Sequence, residues 1–453
     1  MKKPISENLT EGSILRALIK LSIPLILTNI LQTAYNLTDT FWVGRLGSTS
    51  VAAVSLAFPI VFIIISLGAG MAIAGSILVA KRKGAKDEEA VAHISSQTFF
   101  SVFFISIILA IVGYFASPYL VAIMKTEPNV YEEAVAYLKI TFLGLPPSFI
   151  YLTFQSLMRS IGKVKLPFYI VLSTVLLNLI LDPLFIFGYD GFIPAYGVKG
   201  AAIATVGTQI LSAVIGLYYL LKGNQGIHIN IRDYAPDFSL IKELFKLGLP
   251  VSIEQVSRAL GIFMMVLLVS HFGTMVLASY GIGTRILSFV IIPAFGLGMA
   301  TSTLVGQNIG ARAYHRVKKT LELSLGIAFG SLTVIGLLLF IFTRQTAAFF
   351  IPDDPATIDE SAVFIKMLAV SFGFLGILIV LMGAFRGAGK TKISMVLALL
   401  SVWLLRFPLA YYLGFHTSLK ELGIWLSYPI TNIVTALLGL SILIKYHWFE
   451  NVE

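Results

Sequence analysis

The sequence predicts an all-α integral membrane protein, with twelve transmembrane helices in two pseudo-symmetric six-helix lobes around a central cavity. Three observations carry this prediction. Hydrophobic residues make up 57% of the 453 positions and charged residues 12%, about half the charged share of a soluble domain, so most of the surface must face lipid. Basic residues gather in short clusters between long apolar runs. The second half of the chain also repeats the first, at an offset of 226 or 227 residues.

The repeat is legible residue by residue. Lys20 and Pro24 recur as Lys246 and Pro250, Gly47 as Gly273, Gly84-Ala85 as Gly310-Ala311, and Lys139 as Lys366. Arg159-x-x-Gly162-Lys163-x-Lys165 recurs as Arg386-x-x-Gly389-Lys390-x-Lys392. Two copies of one unit in so apolar a chain suggest a transporter with a site between two lobes. The repeat is also an internal control. A polar residue present in one copy and apolar in the other was not needed for the fold.

The apolar runs lie near 18–44, 51–80, 94–116, 135–156, 167–188, 200–222, 245–271, 276–306, 319–343, 362–384, 394–414 and 423–446. Each is about twenty residues or longer, enough to cross a ~30 Å hydrocarbon core as a helix. Six spans per copy make the copies parallel, related by an axis along the membrane normal. Residues 1–222 are therefore read as the first lobe, 223–244 as a polar linker, and 245–453 as the second lobe.

Orientation follows from the basic clusters. Lys2, Lys3, Arg16 and Lys20, then Lys81/Arg82/Lys83/Lys86, Arg159/Lys163/Lys165, Lys222/Arg232/Lys242/Lys246, Arg312/Arg316/Lys318/Lys319 and Arg386/Lys390/Lys392 all fall on one side. The opposite loops carry little beyond Arg45, Lys125, Lys199, Arg344 and Lys420. The positive-inside rule places both termini in the cytoplasm; the membrane is expected to be the inner membrane of a prokaryote. The same distribution explains the net charge of +10 without nucleic acid.

Several function classes drop out. There is no cysteine, hence no disulfide and no thiolate metal site. Gly387-Ala388-Gly389-Lys390-Thr391 fails the phosphate-loop pattern because Ala384 stands where glycine is required. Histidines such as His93, His228, His315, His416 and His447 are scattered at loops and ends, without metal-ligand spacing. The chain is not read as an enzyme, and no cofactor is expected.

Acidic residues within spans are few and carry the functional signal. Asp39 ends the run Tyr35-Asn36-Leu37-Thr38-Asp39, and Asp182 lies in Asn178-Leu179-Ile180-Leu181-Asp182-Pro183. Asn178 and Asp182 are four residues apart and share a helix face. A charge at membrane depth costs about 2.5–3.5 kcal/mol even on the lenient insertion scale. At the 226 offset Asp39 stands against Met265, and aligning Pro183 with Pro408 sets Asn178 and Asp182 against Trp403 and Phe407, so the fold does not require these polar groups. The plainer reading, a carboxylate capping a helix broken at Pro183, accounts for one aspartate and not for two. Tyr35, one turn before Asp39, and Asn36 are candidates for the cavity wall.

In the second copy, Glu254 stands against Thr28 and precedes Arg258 by four residues, the order that favours a helix ion pair. Either a structural pair or a second-lobe contribution to transport fits. Arg285 and Arg406 also fall within spans. Pairing with each other, binding an anionic substrate and snorkelling to the interface all remain open for them.

On these residues the chain resembles the multidrug and toxic compound extrusion (MATE) family, over essentially its whole length. The resemblance rests on the two six-helix halves, Tyr-Asn-x-x-Asp-Thr-Phe-Trp-x-Gly in the first span, Asn-x-x-x-Asp-Pro in the fifth, and Gly-Ala-Ala-x-Ala-Thr from Gly200 to Thr205. It implies a monomer among membrane lipids that exports small organic, often cationic, compounds by antiport with protons or sodium. In the DinF-like and archaeal branch the cation site lies in the first lobe and carries over to Asp39, Asn178, Asp182 and Thr205, which would be the sodium ligands in a sodium-coupled protein. In the NorM-like branch second-lobe carboxylates contribute, and Glu254 matches one, with Arg258 and Arg285 as further candidates for a second-lobe contribution. The run 362–384 lacks a carboxylate beyond Glu360, and Asp182 favours the DinF-like side. The alternative within the same architecture is a flippase for lipid-linked saccharides or other lipids, whose cavity would be lined by cations.

Overall fold

The computed structural model describes residues 9–189, 191–230, 233 and 235–445. Lys2, Lys3, Arg232 and His447 lie outside them. The first copy forms α1 (Ile14–Gly44), α2 (Ser48–Gly84), α3 (Glu88–Ala122), α4 (Pro128–Leu143), α5 (Leu145–Ser160), α6 (Lys165–Phe187) and α7 (Val198–Lys222). The second forms α8 (Phe238–Ser270), α9 (Thr274–Gly310), α10 (Tyr314–Ile341), α11 (Thr343–Phe350), α12 (Pro355–Ala369) and α13 (Phe372–Gly387). It closes with α14 (Thr391–Leu399), a π-helical stretch (Leu400–Arg406), α15 (Phe407–Phe415) and α16 (Glu421–Lys445). Among the described residues there is no strand, only an isolated bridge between Tyr189 and Ile193.

Ten helices are long and apolar enough to cross a membrane, and two bent pairs bring the number to as many as twelve. Each expected span falls on one of them. The repeat is carried into detail: α2 and α9 have 37 residues each. The fourth span of each copy bends, by 48° between α4 and α5 and by 52° between α12 and α13. The first bend has prolines at its start, Pro146 and Pro147, which withhold amide hydrogens from the preceding turn. The second has none. There Asn432 Nδ2 donates to Ser371 Oγ at 3.0 Å, and Ser371 Oγ donates to the Leu368 carbonyl at 3.1 Å. A side-chain network holds the break that proline holds in the other copy.

The chain forms two compact units, Leu27–Ser252, and Met1–Ile26 with Ile253–Glu453. The boundaries fall inside α1 and α8, whereas the sequence division runs through residues 223–244, of which 238–244 already belong to α8. Packing explains the difference. Leu244, at the start of α8, is buried in the core of the first unit with Phe142, Phe149 and Phe154. In the second unit, Arg316 Nη1 donates to the Gly12 carbonyl at 2.9 Å, and Asn308 Nδ2 to that of Leu9 at 3.4 Å. The core of that unit contains a stack of Phe364 on Trp425, with ring centroids 4.1 Å apart.

The loop after α7 is not a free tether. Gln97 on α3 donates to the carbonyls of Asp233 (2.9 Å) and Ala235 (2.8 Å) and accepts from the Asp237 amide (3.0 Å). His93 lies between the carboxylates of Asp233 and Asp237, at 2.9 and 3.2 Å. One face of α3 thus straps the described part of the linker.

Candidate cation site

Three helices of the first unit are clamped together by a small apolar cluster. Val43 of α1, Ile186 of α6 and Ala201 of α7 are all buried in it, with Trp42 and Leu46 packed alongside. Val43 lies one turn from Asp39, Ile186 one turn from Asp182, and Ala201 one turn from Thr205. Helical periodicity therefore brings those three polar residues to one level. The approach of α7 to α6 requires glycine. A Cβ on Gly200 would lie 2.1 Å from the Phe185 carbonyl oxygen. The connecting loop is sewn to the same place, Tyr196 donating its amide to Phe185 and Gly197 to Ile186.

At this level the polar atoms outnumber their partners. Asn178 Nδ2 donates to Asp182 Oδ1 at 2.8 Å, and both residues are fully buried. Four buried side-chain oxygens have no hydrogen-bond partner: Asp39 Oδ1, Asp182 Oδ2, Asn178 Oδ1 and Thr205 Oγ1. Asp39 and Asp182 are close enough to act on each other electrostatically. Two carboxylates, an amide oxygen and a hydroxyl form an all-oxygen donor set suited to a hard cation. A proton on a carboxylate would relieve the same deficit. Among the described residues, no group of three or more His, Asp or Glu side chains could hold a metal.

Tyr35, expected on the cavity wall, lies beside this group. The Tyr35 hydroxyl lies 3.3 Å from Thr208 Oγ1, next to Thr205 and within electrostatic range of both aspartates. Asn36 is exposed, and its backbone carbonyl accepts from Thr40. Two residues are added. Thr208 lies on α7, one turn beyond Thr205. Tyr137 on α4 interacts electrostatically with Asp39, Tyr35 and Asp182. Thr208 could have been found from its spacing to Thr205. Tyr137, one of 18 tyrosines, carried no sequence signal.

The second-copy candidates lie in the other compact unit. The ion pair expected from their spacing forms: Arg258 Nη2 is 2.9 Å from Glu254 Oε1, and Glu254 is buried. Arg258, Arg285 and Arg406 line a single cavity of about 330 Å³. Arg285 and Arg406 do not pair with each other. Arg406 instead donates to Thr431 Oγ1 at 3.2 Å and Asn432 Oδ1 at 2.7 Å.

A family model described as MatE matches residues 24–184 and 250–412, one stretch in each copy. The chain belongs to the MATE family. Curated relatives include the probable multidrug resistance protein YoeA of Bacillus subtilis (strain 168), 29% identical over 452 residues, covering 99% of this chain and 96% of the relative. A probable multidrug resistance protein NorM of Mannheimia succiniciproducens is 28% identical over 431 residues, 93% of this chain and 92% of the relative. A MATE crystal structure in the straight conformation aligns at 26% identity and a TM-score of 0.92, covering all of both chains. An outward-facing multidrug resistance MATE transporter of the MOP superfamily aligns at 25% and 0.92, again over both whole chains. These matches make the protein a multi-pass MATE secondary transporter with twelve helices in two lobes. They do not support placing it in the DinF-like branch, since its relatives carry the names YoeA and NorM.

Proposed function

We propose that this MATE protein exports organic, chiefly cationic, compounds by antiport, with the inward-moving proton or sodium ion taken up by Asp39, Asn178, Asp182 and Thr205. The observation that carries this reading is the set of four buried, unpartnered oxygens, at positions where the second copy is apolar for both aspartates and for Asn178. A buried carboxylate without a partner is unstable as a bare anion and is neutralised by whatever cation reaches it. A cationic compound and the coupling ion would compete for that charge. Uptake of the ion removes the attraction for the compound, releases it outward and permits reorientation by alternating access.

The positive-inside pattern supports a cytoplasmic membrane location with both termini inside. On this reading the first six spans, within 1–222, form the cation-binding lobe, 245–453 the second lobe, and the protein works as a monomer among lipids. First-lobe coupling, as in the DinF-like branch, rests here on Asp182 and its unpartnered oxygen. Glu254, whose Oε2 is also buried without a partner, is a secondary contributor.

The test is reconstitution in liposomes, with a proton or a sodium gradient driving uptake of a fluorescent organic cation. Drive by one gradient names the coupling ion. No drive by either would overturn the antiport reading.

A further inference from the structure

The second unit holds a site of opposite polarity. Its cavity, about 330 Å³, falls within the range of small-molecule pockets. The walls are mostly apolar, among them Ile262, Met265, Ile291, Phe295 and Leu378, and no carboxylate lines it. Three arginines, Arg258, Arg285 and Arg406, are among the residues that line it. Arg258 shares its charge with Glu254. Arg285 is exposed and makes no hydrogen bond or ion pair among the described residues. Arg406 has only neutral partners, Thr431 and Asn432, and lies over the Tyr428 ring, 4.4 Å from its centroid.

Two further observations set these arginines apart from the scaffold. At the 226 offset Arg258 and Arg285 stand against Gln32 and Pro59, and with Pro183 aligned on Pro408 Arg406 stands against Leu181. None of the three charges was needed to build the other copy. In addition, the backbone departs from the repeat here. The π-helical stretch Leu400–Arg406 contributes Ser401, Val402 and Arg406 to the wall, whereas α6, its counterpart, is α-helical throughout. Such π segments are concentrated at functional sites, where they re-aim side chains. Snorkelling accounts for an exposed Arg285 but not for Arg406, which is fixed by three neutral groups inside the unit.

We propose that this cavity binds an amphipathic organic anion, a compact apolar or aromatic body carrying one carboxylate or sulfonate, with the acid held between Arg285 and Arg406. A guanidinium fixed by neutral partners is preorganised for a planar oxyanion, and Tyr280, Thr284 and Ser288 add hydroxyls along the same wall. The inference goes beyond cation export and does not depend on it.

The probe is naphthalene-2-carboxylate, compared with its uncharged isostere naphthalene-2-carboxamide. Both are titrated calorimetrically into the full chain in phosphatidylcholine nanodiscs, with empty nanodiscs subtracted. The carboxylate should bind about tenfold tighter than the amide, as expected for a charge-assisted contact. The preference should shrink severalfold in Arg285→Gln, a change that removes no partner from the fold, and recover in Arg285→Lys. Arg406→Gln should shrink it as well. Equal affinity for acid and amide, no binding of either, or an unchanged preference in Arg285→Gln would overturn the proposal. Adding phosphatidylglycerol to the nanodiscs distinguishes the source of the anion. Loss of probe affinity assigns the cavity to an anionic lipid headgroup, and unchanged affinity assigns it to a free organic anion. The double variant Asp39→Asn/Asp182→Asn should keep the preference for the acid, so failure of the cation reading leaves this one testable.

Discussion

Asn178 gives its amide hydrogen to Asp182 Oδ1 at 2.8 Å, and in doing so leaves its own Oδ1 and Asp182 Oδ2 buried and unpartnered. One hydrogen bond thereby aligns two helix residues and keeps an acceptor open on each. Asp39 Oδ1 and Thr205 Oγ1 add two more from neighbouring helices. The arrangement is a fixed deficit of positive charge and donors, which a proton or a sodium ion can fill.

Neutralising either aspartate should remove coupling. Asp39→Asn and Asp182→Asn should each lower gradient-driven export by at least about tenfold, the default expectation for an ionisable group inside a membrane, with expression close to wild type. Met265 and Phe407, the repeat counterparts, should accept apolar replacement. Near wild-type transport by both Asn variants would place the coupling site elsewhere.

The Glu254–Arg258 pair should be coupled in stability. Removing one partner leaves a buried charge uncompensated, a loss on the order of 3 kcal/mol. Glu254→Gln and Arg258→Gln should each lower the melting temperature, and the double variant should recover much of it. A double-mutant cycle measures the interaction. Transport that stays low in a double variant of restored stability would assign Glu254 a role in export as well.

Asp237 should make the strap on α3 sensitive to acid. Its carboxyl is held below the usual carboxylate range, first by the Leu240 amide hydrogen and then by His93. A group shifted in this direction stabilises fully above its unfolded-state value, about 4, and loses the contribution as pH falls through its lower folded value. Hydrogen exchange at the Leu240 amide should therefore be slow at neutral pH and gain on its intrinsic rate in acid. Asp237→Asn keeps a capping oxygen and should raise the neutral-pH rate less than Asp237→Ala. Equal rates in all three proteins would show that the strap does not rest on Asp237.

Gly200→Ala should damage the site through packing. The new Cβ would meet the Phe185 backbone oxygen at 2.1 Å, and no rotamer can relieve a contact with backbone. α7 must move away from α6, at about 1–3 kcal/mol for overpacking of this kind, and Thr205 moves with it. A lower melting temperature together with reduced export is expected. Unchanged stability would mean that the two helices can separate freely.

The sequence by itself determined the membrane class, the repeat and the spans. These depend on quantities written along the chain: about twenty apolar residues per crossing, basic clusters between them, and matched residues half a chain apart. It also pointed to Asp39, Asn178 and Asp182, because polar groups in apolar runs are conspicuous and the second copy lacks them. Tertiary structure alone decided the rest. The bend after Ala369 has no proline, and only Asn432 on α16, far along the chain, explains Ser371. Tyr137 joined this group only through packing, since α4 lies against α7, which carries Thr205 and Thr208. The sequence raised Arg258, Arg285 and Arg406 as candidates, but that all three line one cavity was decided only by the packing of α8, α9 and the π-helical stretch. The cost of burying a charge is local and visible in a string of residues. Which charges share one cavity depends on contacts between distant segments, and those are fixed only when the helices pack.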